Sequence, residues 1–356
     1  MIWLTWRQFR LQVLVIFAAV VTIAIAMAVT GSELLHAYHA DTVGFLGQIV
    51  NDRVDKTLYL LGLALLYAAP SVIGAFWGAP LIARELEAGT HRLVWNQSIT
   101  RSRWLAVKLA LTGVAAMAAT GLLSLAVSWW SSPIDRAVAR GHSAGPFSFP
   151  RLFPIVYGAR GVVPIGYTAF AFALGVAVGL LLRRSVPAIA ITLAVVIAVQ
   201  TAMPLAVRGH LIAPVRLTTA ITTSNFTGLH GSGPPDRGPT LQGFTVRAGK
   251  PGDWVLSNQT INAQGVVPHT LPAWVADCFL PKQAAIGQGA TRVKAPTPRL
   301  LNGCFSRLAD AGFRQRVTYQ PASRFWALQW RETAMFLTLA LLLTGFCFWR
   351  VRRDLT

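Results

Sequence analysis

The chain has 356 residues, of which 54% are hydrophobic and only 13% charged, with a mean hydropathy of +0.50. Soluble domains carry about 25% charged residues, so the few charges here cannot solvate the surface of a chain this size, and much of it must face lipid. The net charge of +19 is carried mostly by Arg, set singly or in pairs beside apolar runs. That pattern reads as a topology signal and argues against a nucleic-acid partner.

Six runs reach, or nearly reach, the roughly 20 apolar residues needed to cross a bilayer. They are residues 11–30, 58–83, 105–130, 161–182, 186–207 and 333–349. The second holds Pro70 and Pro80, and the third has Lys108 near its start. Arg183 and Arg184 separate the fourth and fifth in a tight hairpin. Residues 1–10 carry Trp3, Trp6 and Phe9 beside Arg7 and Arg10, a mix that predicts a short amphipathic helix in the interface. The first run is longer than the apolar core of a secretory signal and reads as an uncleaved helix, although Ala26-Met27-Ala28 resembles a cleavage site.

Six crossings put both termini on one side. With that side cytoplasmic, the inner segments hold Arg7, Arg10, Arg84, Arg92, Arg101, Arg103, Lys108, Arg183, Arg184, Arg350, Arg352 and Arg353. The short outer loops hold Arg53, Lys56, Arg136, Arg140, Arg151 and Arg160. A ratio of roughly two to one favours this orientation, with the Arg residues of segment 131–160 counting against it.

Residues 208–331 are too polar for lipid and predict an outer domain. β-like runs at 243–247, 254–263 and 316–319, and a helical pattern over 299–311, give a small mixed α/β or β-rich fold. The Pro/Gly cluster at 231–239 marks a loop. The fold class is thus an all-α polytopic membrane protein of about six transmembrane helices, with that extracytoplasmic domain between the fifth and sixth. Residues 1–207 form the membrane part with its interfacial helix, 208–331 the outer domain, and 332–356 the last helix with a basic cytoplasmic tail. Cys347 lies in the last run and reads as a packing residue. Cys278 and Cys304 fall in the outer domain, where an oxidising exterior permits a disulfide worth about 3 kcal/mol in the chain-entropy model; two free thiols are the alternative. No CxxC or HExxH occurs, so no metal site is expected.

No run has an acid in its middle, with Glu332 at the edge of the last. Coupling to an ion gradient, which places acids or His at membrane depth, is therefore disfavoured. The chain also lacks GxxxxGK[ST], so any ATP and Mg²⁺ would be bound by a partner and no cofactor by this chain. Such a partner must press on a cytoplasmic surface, and the candidate is the loop between the second and third runs, residues 84–104. Gly89-Thr90 is a break there, with Thr90 as N-cap of a short helix carrying Leu93, Val94 and Trp95. An ordinary charged loop is the other reading.

The run Arg84-Glu85-x-Glu87-x-Gly89-Thr90, then Gln97-Ser98-x-Thr100-Arg101, then Lys108, resembles the coupling segment of the ABC-2 type permeases. Pro321, Arg324, Phe325, Trp326, Gln329, Trp330 and Glu332 resemble an element that precedes the last helix in the family's actinobacterial branch. The resemblance implies a six-helix permease half-unit that pairs with a second copy, as a homo- or heterodimer, over separate ABC ATPase subunits. By that analogy Arg84, Glu85, Glu87, Gly89, Thr90, Arg92, Trp95, Gln97, Arg101 and Lys108 form the ATPase-coupling site. Gly89 allows a tight turn, and Glu87 caps or ion-pairs near it. Export of a drug, peptide or lipid-like compound across the plasma membrane is the implied activity, with both termini cytoplasmic.

Gly175 and Gly179 form a GxxxG that suits a close helix contact, or arises by chance in a Gly-rich helix. Arg324, Arg331 and Glu332 suggest a local salt bridge at the outer-domain junction, or less readily a substrate gate, beside Trp326 and Gln329. Trp129, Trp130, Trp326, Trp330 and Trp349 read as interface anchors. No nucleophile or carboxylate set converges on one element, so no catalytic residue is expected. The competing functions are a sensor or accessory protein that signals through an ATPase without transport, and a membrane-embedded transferase using Asp41, Asp52 and Asp55.

Overall fold

The computed structural model describes residues 2–89, 100–232, 240–247, 249–279 and 298–353. The chain divides into two units, 1–212 with 323–356, and 213–322. Among the described residues, six helices are long and apolar enough to cross a membrane: Phe9–Ala40, Arg53–Glu87, Arg101–Trp130, Val163–Leu182, Ser185–His210 and Ala322–Arg353. They are called spans one to six below.

Span one belongs to a single helix, Ile2–Ala40. The interfacial helix expected over residues 1–10 is therefore not separate but runs into the first crossing without a break. No Gly or Pro interrupts residues 2–30 to end it, and at 1.5 Å per residue the helix is about 58 Å long, well beyond a hydrocarbon core of roughly 30 Å. Span six is likewise longer than its apolar run. Its helix covers Phe325–Arg353, so Glu332 lies two turns inside rather than at the edge. Helix formation follows backbone hydrogen bonding and not hydropathy, so polar residues at either end of an apolar run simply continue the helix.

Asp41 and Asp52 shape the connection between spans one and two. Asp41 Oδ1 accepts from the backbone N–H of Val43 and Gly44 at 3.0 and 2.9 Å. Asp52 caps the second span through Val54 and Asp55 N–H groups. These are turn and cap interactions of short acidic side chains.

Span two contains a wide turn, Gly74–Gly78, in which Ala79 N–H donates to Gly74 O. Pro80 follows at once. A proline ring presses on the carbonyl four residues back, and the i→i−5 turn makes room for it. Span five repeats the device at Met203–Val207, which contains Pro204.

The wide turn of span two also lets the chain pack without side chains against span four. A Cβ on Gly175 would run into Gly74 O and come within 2.7 Å of Ala79 N. One on Gly78 would lie 2.6 Å from Phe172 O, and one on Gly179 would collide with Ala79 O. Gly175-xxx-Gly179 is thus a backbone-to-backbone crossing, and its partner is the second pair, Gly74-xxx-Gly78. Span four is the most buried helix, whereas spans one and five present much of their apolar surface outward, for example Leu11, Val15, Val186 and Leu205.

The second unit holds a three-stranded antiparallel sheet ordered β1-β5-β4 and a β2-β3 hairpin. The strands are β1 Val215–Thr219, β2 Phe226–Ser232, β3 Thr240–Val246, β4 Trp254–Ile261 and β5 Arg314–Gln320. Val317 in β5 pairs Leu217 and Asn258 and is fully buried with Phe244, Phe305 and Leu308. Side chains join the two sheets: Phe244 N–H donates to Thr260 Oγ1 at 2.8 Å, and Gln315 Nε2 donates to Phe244 O at 2.6 Å. Helix Pro298–Asp310 packs over this core through Phe305 and Leu308. A disulfide joins Cys278 of helix Ala273–Phe279 to Cys304, across a sequence separation of 26.

Candidate functional site

Two polar clusters stand at opposite ends of the membrane unit. The first lies where span two ends, span three begins and the hairpin between spans four and five turns, the same end as both termini. Span two's last helix stops at Glu87, and Gly89 adopts φ +67°, a left-handed conformation that glycine enters without penalty and that closes a helix. Glu85 pairs with Lys108 Nζ. Lys108 is buried, with its ammonium 4.9 Å from the centre of the Trp104 ring. A buried ammonium needs such an anion, because a buried charge left without its partner is strongly destabilising.

Glu87 reaches away from its own segment. Its Oε2 accepts from Ser185 N–H at 3.1 Å and Ser185 Oγ at 2.9 Å. It therefore occupies the positive end of span five, where an anion both satisfies an orphan N–H and meets the helix dipole. Arg183, just before it, holds a left-handed backbone at φ 54°, which sharpens the hairpin. Arg84 is exposed and Arg101 opens span three. Of the expected coupling residues, Arg84, Glu85, Glu87, Gly89, Arg101 and Lys108 thus gather at one end. Thr90, Arg92, Trp95 and Gln97 lie outside the described residues.

The second cluster was only half visible from sequence. Glu332 of span six is completely buried, and its partner is Arg208 at the end of span five. Arg208 Nε and Nη2 donate to the two carboxylate oxygens at 2.9 and 3.0 Å, and Tyr167 of span four donates its hydroxyl at 2.9 Å. The local salt bridge expected with Arg324 or Arg331 is corrected: Arg331 donates instead to Leu211 O. In a helix, residue 331 points about 100° away from residue 332, so a neighbour in sequence is not a neighbour in space.

Arg208 Nη1 also donates to Pro154 O at 3.1 Å, where Tyr67 hydroxyl donates too at 3.0 Å. Its guanidinium lies 4.3 Å from the centre of the Tyr157 ring. Burial, with the Glu332 charge nearby, pushes the Tyr157 phenol above its ordinary value, so that ring stays neutral. Gln329, one turn before Glu332, accepts from Val162 and Val163 N–H at 3.0 and 2.9 Å. It thereby takes up orphan donors at the start of span four. Deeper in the membrane, Gln200 donates to Tyr67 O and accepts from Ser71 Oγ. Trp326, by contrast, is exposed, in keeping with an interface anchor.

The Arg residues of segment 131–160 are all engaged. Arg160 pairs with Asp135 at 3.2 Å. Arg136 and Arg140 lie over the Tyr38 ring, and Arg151 over Phe325. Arg208, Tyr167, Ser185 and Asp135 went unnoticed as site residues. One signal was readable: a lone Arg and a lone Glu stand at the two borders of the polar excursion, where opposite charges can meet.

Among the described residues, no group of His, Cys, Asp and Glu is arranged to hold a metal ion. No curated protein and no solved structure matches the chain. A family model described as ABC-2 membrane transporter related matches residues 11–208, from the first turns of span one to Arg208. That match covers more than half of the 356 residues, all of spans two to four and span five as far as Arg208; the chain is a multi-pass, permease-type membrane component of an ABC system and belongs to the ABC-2 membrane transporter related family.

Proposed function

We propose that this chain is the transmembrane subunit of an ATP-driven exporter in the plasma membrane, with both termini cytoplasmic. A separate ABC ATPase binds ATP and Mg²⁺ and presses on residues 84–104. Two permease copies, identical or related, stand over two ATPase subunits, and the cargo is a drug, peptide or lipid-like compound. One observation carries this reading. The start of segment 84–104 is tied into other spans by its two carboxylates: Glu85 to buried Lys108 on span three, and Glu87 to the start of span five. A push on the segment would thus reach spans two, three and five together, and span four through the glycine crossing.

Affinity purification of the tagged chain from its native membrane should bring down a Walker-motif ATPase. In vesicles, Glu87→Ala or Trp95→Ala should uncouple ATP hydrolysis from transport while insertion stays intact. Unchanged coupling in both variants would remove the assignment of the segment. A thiol at Ser102→Cys should react with an impermeant maleimide only after the cells are opened; labelling of intact cells would reverse the orientation.

A further inference from the structure

A groove of about 330 Å³ lies in the membrane unit between spans three and six, with span four beneath it. Its span-three wall is Ala106, Ala110, Gly113 and Met117. Its span-six wall is Leu337, Leu341, Thr344 and Phe348. Small side chains, with Ala169 and Ala173 below them, leave the space between the helices open. From Ala106 to Met117 the groove extends about 16 Å at 1.5 Å per residue, which is half of a roughly 30 Å hydrocarbon core. It therefore has the depth of one leaflet, the leaflet at the end that carries both termini.

The two stripes continue past the groove to charge. One turn before Ala106 on the same face stands Arg103, and one turn after Phe348 stands Arg352. Both are exposed, and among the described residues neither enters an ion pair. Both belong to the headgroup level at the groove's mouth, where long basic side chains keep their heads in water. A second copy seated face to face over the groove would bring Arg103 and Arg352 against their own counterparts, since a twofold interface meets the same patch on both sides. A lipid anion complements them instead.

We propose that this groove is a phospholipid site, with one acyl chain lying between spans three and six and an anionic headgroup held by Arg103 and Arg352. The site follows from the membrane fold alone and stands whether or not an ATPase partner is found. The test uses the full-length chain, with any subunit that co-purifies, equilibrated in mixed micelles of phosphatidylglycerol and phosphatidylcholine. Lipid retained per chain is read by native mass spectrometry. Wild type should retain phosphatidylglycerol in preference. Arg103→Gln with Arg352→Gln should lower that preference about 30-fold, the factor two Arg residues contribute beside anionic lipid, while still retaining some lipid of either kind. Ala110→Phe, which fills the groove from its open side, should lose both lipids at an unchanged melting temperature. Equal phosphatidylglycerol preference in wild type and the double Gln variant would overturn the headgroup assignment. Undiminished retention by Ala110→Phe, or a tighter dimer in the double Gln variant with no change in lipid, would overturn the site.

Discussion

The pair between Arg208 and Glu332 offers the sharpest test of the packing argument. Glu332 is 0% exposed and accepts two bonds from the guanidinium and one from Tyr167. Glu332→Met removes the carboxylate, which leaves a buried cation uncompensated at a cost of about 3–5 kcal/mol. Arg208→Met strands the carboxylate instead, with a similar cost. The double variant Arg208→Met with Glu332→Met removes both charges. Pro154 O keeps the Tyr67 hydroxyl as donor, so the remaining penalty is the orphaned Tyr167 hydroxyl, about 1–3 kcal/mol. The two single losses sum to about 6–10 kcal/mol, so the cycle should show a coupling of at least about 3 kcal/mol. Equilibrium unfolding of the full chain in mixed detergent–SDS micelles, followed by helix circular dichroism, measures all four corners. Additivity within about 0.5 kcal/mol, or a Glu332→Met variant as stable as wild type, would refute a buried, mutually dependent pair.

Other expectations follow from single contacts. Gly175→Ala pushes a methyl into the Gly74 carbonyl and should cost about 1–3 kcal/mol by overpacking. Gly345→Ala meets nothing within 4 Å and serves as the control, with a change within about 0.5 kcal/mol; equal effects in the same unfolding assay would contradict the crossing. Replacing Cys278 and Cys304 together by Ser should cost the second unit about 3 kcal/mol, read as faster proteolysis within 213–322 while the spans stay intact. Glu85→Gln leaves buried Lys108 without its anion. It should lower thermal stability, and Glu85→Gln with Lys108→Met should restore most of it; no recovery in the double variant would show that the two residues act separately.

Much of this architecture was legible in residue order. Within lipid a helix satisfies its backbone groups internally, so an apolar run of sufficient length declares a span without reference to its neighbours. Five of the six runs fall within the helices observed, and the fourth, 161–182, begins two residues before its helix at Val163. Within the polar unit, the β-like runs at 243–247, 254–263 and 316–319 overlap β3, β4 and β5, and the helical pattern over 299–311 overlaps helix Pro298–Asp310, for the same local reason. β1 and β2 were not readable in this way. Val215–Thr219 is a strand because β5 lies beside it, and nothing within five residues announces a partner a hundred positions away. Pairing was decided by tertiary structure throughout. Gly175 and Gly179 were visible as a motif, but only the fold supplied Gly74 and Gly78 opposite them. Glu332 was visible as a charge, but its partner, Arg208, stands 124 positions earlier in the sequence rather than next to it at Arg331. Hydropathy and helix hydrogen bonding act along the chain and can be read there. Ion pairs and backbone crossings join distant residues, and only the packed helices bring those residues together.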